Sequence, residues 1–311
     1  MFPSGRAGAR AAKSRQPGFS LLELLVALAI LLTISGVVLT GLVQMTKTQG
    51  TISNRTEMHA SVRSATELLQ QEIGQAGKIS LPAAVTLAAA VTTTGINAVG
   101  VSSVAGMFNG ELLVIDAGTN QETVALTSVA PSGNQITGIF NNTHASGAPV
   151  TVAGAFSSGI VPTNMTNGST GTVLKMYGDI NGDGNMLYVE YTCDTTNGFL
   201  YRNTMPFDAA VKLAPTGAQI LLPNVLPNPG GTPCFSYQQK TVGANTYVID
   251  VAVTLTVQTQ NPDPQTNQFQ KETKALLNVS PRNVFEGWQL ASDLVMNRIQ
   301  PMPPNVTALL P

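Results

Sequence analysis

Two rhythms of apolar residues mark the first quarter of this chain. From Phe19 the sequence reads FSLLELLVALAILLTISGVVLTGLVQM, and residues 24 to 46 form 23 consecutive uncharged positions. At about 1.5 Å rise per residue, such a helix covers roughly the 30 Å hydrocarbon thickness of a bilayer. Further on, Ile52, Met58, Val62, Ala65, Leu69, Ile73 and Ala76 recur at three- and four-residue steps with gaps between, and Glu57, Arg63, Glu67 and Glu72 fall among them. The pattern predicts one helix over 19–78, membrane-spanning over about 19–45 and amphipathic afterwards. Gly36, Gly41 and Gly50 are weak points that permit a bend or local unwinding, and Gly77 is its expected stop.

From residue 80 the period changes to that of strands. Short apolar runs at 111–116, 122–129, 135–140 and 148–153 alternate with the turn text AGTN, PSGN and NNTHASG. They predict a small antiparallel β module over 79–157, in which His144 and Glu122 can pair. The plainer reading of His144 is a structural loop histidine, as His59 reads as a solvated residue of the helix. A second β-rich segment, 158–280, has candidate strands at 172–177, 186–192, 199–202, 247–257 and 269–279. In 247–257 the residues Ile249, Val251, Val253, Leu255 and Val257 share one face, which should pack on the helix. NPDPQTNQ at 261–268 reads as a loop tip. Over 281–311 a short helix at 284–299, with Phe285, Trp288, Val295 and Ile299 as its apolar contacts, precedes a tail where Pro301, Pro303 and Pro304 end regular structure. The expected fold is α+β: a long N-terminal helix packed on an antiparallel sheet head, with an additional small β module.

Composition narrows the chemistry. The 311 residues carry 16 basic and 17 acidic side chains, net charge −1, so no basic field draws nucleic acid. Two His and two Cys argue against a His/Cys zinc site and leave little for acid–base catalysis. No GxSxG, Walker loop or HExxH occurs. The expectation is a structural or interaction protein with no catalytic residues, not an enzyme.

Residues 1 to 18 hold Arg6, Arg10, Lys13 and Arg15 and no acid. The basic side stays cytoplasmic, so the chain beyond about Lys47 should lie outside the cytoplasm. A secretory signal and a plain signal-anchor are the ordinary explanations. Glu23 fits neither. A carboxylate at membrane depth costs a few kcal/mol and needs a partner. No basic residue lies near it on the helix. The nearest cation is the α-amino group created if the chain is cut before Phe19.

Gly18-Phe19-Ser20-Leu21-Leu22-Glu23, behind a basic leader and ahead of a long apolar run, resembles the leader junction of type IV prepilins and type II secretion pseudopilins. The resemblance implies that prepilin peptidase cuts after Gly18 and methylates Phe19. It also implies that Glu23 pairs with a terminal amine, usually a neighbouring subunit's, during assembly. Other pilin or pseudopilin subunits and an inner-membrane assembly platform would be the partners. The expected location is a single pass through the cytoplasmic membrane, then a periplasmic or extracellular filament or its tip. Val62 to Gly77 resembles the second half of the helix in PilW-type minor pilins, and Pro281-Arg282-Asn283 resembles an ending after their last strand. A J-like pseudopilin of type II secretion, and a membrane-anchored calcium-dependent adhesin that never polymerises, are the rival readings.

Residues 179–190, DINGDGNMLYVE, match the twelve-residue calcium loop: Asp179, Asn181 and Asp183 by side chain, Asn185 by carbonyl, Glu190 as bidentate ligand, water opposite Leu187, and Gly184 for the sharp turn. The flanks read as strands, so a tight hairpin turn without an ion stays open beside it. Cys193 and Cys234, both outside the cytoplasm, are expected to form one disulfide.

Overall fold

The computed structural model describes residues 18–154 and 156–308, and these form an α+β fold. The leader, including Arg6, Arg10, Lys13 and Arg15, lies outside the described residues. Helix α1 runs from Leu21 to Gln75. Gly36, Gly41 and Gly50 lie within it, and the helix does not unwind at any of them. In a long helix each glycine loses only its own propensity, about 1 kcal/mol, while its neighbours hold the register. The helix ends where expected. Gly77 has φ +85°, and a Cβ there would stand 2.9 Å from the Ser157 carbonyl oxygen, so only glycine fits the exit.

The chain divides into two compact units. The first comprises residues up to Ser53 with the loop Asp263–Asn267. Thr51 donates its hydroxyl hydrogen to Asp263 Oδ1 at 2.6 Å, and Gln265 Nε2 donates to Thr48 Oγ1 at 3.0 Å. Pro264 packs where a side chain at Gly50 would stand. The apolar side chains from Phe19 to Met45 are exposed all round the helix.

The second unit holds Asn54–Pro262 and Gln268–Pro311. Its first sheet uses β1 (Val85–Thr86), β2 (Gly95–Gly100), β3 (Leu112–Ile115), β4 (Glu122–Ala130), β5 (Gln135–Phe140) and β6 (Pro149–Val152) in the order β1-β6-β3-β4-β5-β2. The last four were expected; β1 and β2 are too short or too rich in Gly and Asn to read as strands. The two edges meet at a Leu87–Val101 bridge, where Ala88 N–H donates to Gly100 O and Ser102 N–H to Thr86 O. This closes the sheet into a small barrel and removes its free edges. Val85, Val99, Leu113, Ile115, Val124, Ile136, Phe140 and Val150 fill the interior.

The head follows. Strands β7 (Val173–Gly178), β8 (Leu187–Asp194), β9 (Phe199–Pro206) and β10 (Ile220–Pro223) form one antiparallel sheet, ordered β10-β9-β8-β7. Strands β11 (Val225–Leu226), β12 (Phe235–Val242), β13 (Asn245–Gln258) and β14 (Lys271–Val279) form another around β13. Met58, Val62, Ala65, Leu69 and Ile73 of α1, with Ala76 just beyond it, share one core with residues of both sheets, among them Leu174, Val189, Leu200, Val251 and Leu255. The apolar face of β13 meets the helix only in part. A register shift opposite Gln238/Gln239 breaks the alternation. Val248 therefore joins the helix core, while Ile249 turns to a separate cluster with Tyr247.

The helix expected over 284–299 is instead α2, Arg282–Ser292, followed by a 3-10 turn Met296–Arg298. Val284, Gly287 and Ala291 form its buried face, and Ile299 is covered nearby, while Phe285 and Trp288 are only partly buried. Pro304 does not end structure but opens α3, Pro304–Ala308, because a first-turn position needs no N–H.

Candidate functional site

The conspicuous segment is the start of α1. Ser20 caps it: its carbonyl accepts from Leu24 N–H at 3.1 Å, and its hydroxyl accepts from Leu22 N–H at 3.3 Å. Gly18 and Phe19 precede the helix, and Phe19 is 81% exposed. Glu23 lies in the first turn, where the helix dipole favours negative charge. It is exposed and makes no ion pair with any described residue. A capped helix start with an acid in its first turn, on an uncovered apolar helix, leaves the Gly18–Phe19 junction and one carboxylate open to a partner.

The hairpin between β7 and β8 carries the calcium-like pattern. Asp179, Asn181, Asp183 and Asn185 share the loop, and Gly184, at φ +87°, gives the sharp turn. Asn181 Nδ2 donates to Asp183 Oδ2 at 2.9 Å, and Asn185 N–H to Asp183 Oδ1 at 2.8 Å. Asp179 accepts from Gly184 N–H at 3.1 Å and pairs with Lys78 Nζ at 2.8 Å. Burial pushes the Asp179 carboxyl upward, but Lys78, the Ser80 hydroxyl and Gly184 N–H outweigh it and hold the group below its ordinary range. Glu190 does not join this loop. Gly178 pairs with Leu187 at the hairpin base, and Glu190 lies three residues further along β8, roughly 10 Å at strand spacing. Its Oε2 takes Lys212 Nζ at 2.6 Å and the Tyr188 hydroxyl at 2.9 Å. The fold therefore gathers four of the five predicted ligands and leaves the bidentate one elsewhere. Among the described residues no group of three or more His, Cys, Asp or Glu is placed to hold a metal ion.

Cys193 and Cys234 form a disulfide, joining β8 of one head sheet to the residue before β12 of the other. His144, fully covered, lies between two carboxylates: Nδ1 is 3.1 Å from Asp116 Oδ2 and Nε2 is 2.7 Å from Glu122 Oε1. Glu122 was foreseen and Asp116 was not. Glu122 also accepts the N–H groups of Asn141 and Asn142, so the histidine braces a barrel loop. His59 is half exposed and meets Glu272 at 2.5 Å.

Other polar groups escaped the sequence reading. Glu72 looked like a surface acid of α1, yet it is 5% exposed. Its carboxylate receives the Arg202 guanidinium and, at 2.5 Å, the Tyr191 hydroxyl. The signal was present: Val62, Ala65, Leu69, Glu72 and Ala76 follow steps of 3, 4, 3 and 4, so Glu72 lies on the apolar stripe. Glu111 is fully buried; it accepts Phe108 N–H at 3.2 Å with one oxygen, and the other has no partner among the described residues. Burial pushes its carboxyl up to about 8, with Phe108 N–H opposing.

Residues 13–42 match the family described as Prokaryotic N-terminal methylation motif. The match covers the basic end of the leader, the Gly18–Phe19 junction, Glu23 and most of the apolar run. No curated protein matches the chain. The motif supports a type IV pilin-like or pseudopilin-like precursor, with processing by prepilin peptidase and assembly with other pilins.

Proposed function

We propose that this chain is a minor pilin of PilW-type character, a structural subunit rather than an enzyme. Prepilin peptidase cuts between Gly18 and Phe19 and methylates Phe19. The apolar half of α1 holds the precursor in the cytoplasmic membrane, with the leader inside and the head outside, and later packs among other subunits on an inner-membrane assembly platform. The observation that carries the reading is Glu23, an exposed acid inside a matched methylation motif, four residues after Phe19 and without an ion-pair partner among the described residues. A carboxylate in an apolar environment is costly alone and stabilised beside a cation. The amino group at Phe19 of a neighbouring subunit supplies that cation once the leader is removed. A large head with an added barrel suits a priming or tip subunit better than a closely repeated shaft subunit.

The test has two parts. Mass spectrometry of the mature protein is expected to show N-methylated Phe19; an intact leader, or cleavage elsewhere, overturns the reading. Glu23→Leu keeps the helix apolar and removes the charge. It is expected to be processed and membrane-inserted but depleted from sheared filaments. Incorporation equal to the parent's would refute the pairing.

A further inference from the structure

The head carries a cleft of ≈ 480 Å³ that the assembly role does not use. That volume is in the range of small-molecule sites, roughly 300–1,000 Å³. Lys175, Glu190 and Lys212 line it, together with Val173, Leu213 and Pro215. Lys175 and Glu190 are register partners on β7 and β8, so their side chains share one face of the sheet. The segment bearing Lys212 is held over this face by Asn203 Nδ2, which donates to Leu213 O at 2.7 Å.

The charges do not balance. Glu190 is taken by Lys212 at 2.6 Å and by the Tyr188 hydroxyl. Lys175, only 5% exposed, donates to one acceptor among the described residues, the Asn167 carbonyl at 2.9 Å. An ammonium has three donors, and burying it without a counter-charge is costly. Two ammoniums and one carboxylate leave one positive charge in a cleft whose outer wall is apolar. The group that completes it has one negative charge, accepts at least two hydrogen bonds, and continues into an apolar body.

We propose that this cleft binds a small monocarboxylate, free or at the end of a peptide, with its carboxylate between Lys175 and Lys212 and its apolar chain along Val173, Leu213 and Pro215. The ammonium of Lys175 also lies below its ordinary range, through burial first and then Lys212, against the pull of Glu190. A bound anion reverses that shift.

The probes are hexanoate and acetyl-Ala-Val, each compared with its amide, on the full chain in detergent micelles near pH 7. Calorimetric titration is expected to show saturable binding of at least one of the acids and none of the amides. Binding of hexanoate alone assigns a free acid as the source; stronger binding of acetyl-Ala-Val assigns a peptide end. Lys175→Met is expected to weaken binding at least about tenfold. Leu213→Asp, at an exposed position on the cleft mouth, should do likewise without touching the core. Equal response to acids and amides overturns the proposal, as does preferred binding of glucuronate, which has no apolar body. So does undiminished binding in Leu213→Asp, or in Lys175→Met with an unchanged circular dichroism spectrum. None of these outcomes alters the expected cleavage at Gly18 or the role of Glu23.

Discussion

Glu111 shows how a single buried group couples the fold to pH. Its carboxyl is held near 8 in the folded barrel, against 4.5 for the ordinary side chain. Above pH 4.5 the folded state therefore binds more protons at this position than the unfolded state does. Stability then falls as pH rises through the window from 4.5 to about 8, because the unfolded chain gains by ionising first. At about 1.4 kcal/mol per pH unit, the full effect is on the order of 5 kcal/mol. Glu111→Gln keeps the shape and cannot ionise. It is expected to raise the melting midpoint at pH 8 and to flatten its decline between pH 5 and pH 8. Parallel pH profiles for the variant and the parent would show that Glu111 is not the coupled group. Asp179 works in the opposite direction: with its carboxyl held below the ordinary range, it contributes stability above the unfolded value and loses it as acid protonates the folded group.

Between elements, the join of α1 to the sheet β10-β9-β8-β7 combines apolar packing with one buried charge cluster. Leu69 and Ile73 are fully covered, and truncating such a residue to Ala costs about 2–5 kcal/mol. One turn along the same stripe, Glu72 meets Arg202 and Tyr191 on strands β9 and β8. A buried pair adds little over an apolar substitute of similar shape, but removing one partner strands the other. Glu72→Leu alone, and Arg202→Leu alone, are each expected to lose roughly 2–4 kcal/mol, less than a fully dry pair because Arg202 is partly exposed. The double variant should recover much of that loss. Chemical denaturation of the three variants tests this; strictly additive losses would show that the groups do not interact. The Tyr191 hydroxyl, pushed well above its ordinary range by burial and by Glu72, stays protonated and donates at any physiological pH.

Taken together, the second unit joins a barrel and two sheets through few covalent and polar ties. Lys78 pairs with Phe156 in an antiparallel bridge, so the chain leaves and re-enters beside the end of α1. Gln300 donates to the carbonyls of Leu112 and Ala153 and accepts Leu112 N–H, binding the C-terminal segment to the barrel's β3. The Cys193–Cys234 bridge ties the two head sheets across 41 positions of sequence. A closed loop of that length restricts the unfolded chain by roughly 4 kcal/mol in the chain-entropy account, and loss of a native bridge costs about 2–5 kcal/mol. Cys193→Ser with Cys234→Ser is expected to lower the melting midpoint of the second unit's transition, and reductant to lower it in the parent but not in the variant. An unchanged midpoint in both would remove the bridge from the stability account.

The sequence by itself determined whatever depends on neighbours along the chain. The apolar run, the Gly18–Phe19 junction, the offset of Glu23, the stop at Gly77 and nine strands with strong apolar runs are local patterns, and local sterics and hydration set them. Only the tertiary structure decided what depends on residues distant in sequence. Barrel closure rests on the Leu87–Val101 bridge, which no local rhythm encodes. The register shift against β12 divides Val248 from Ile249, one joining the α1 core and the other the cluster with Val284 and Ala291 of α2, and only the pairing of distant strands sets where that shift falls. Glu190 has the spacing of a metal ligand but the strand geometry of a partner for Lys212, since a β-strand carries it away from the hairpin loop. Likewise, the leftover charge at Lys175 exists only because pairing of β7 with β8 and the folded-over segment at Lys212 bring three distant ionic groups into one cleft.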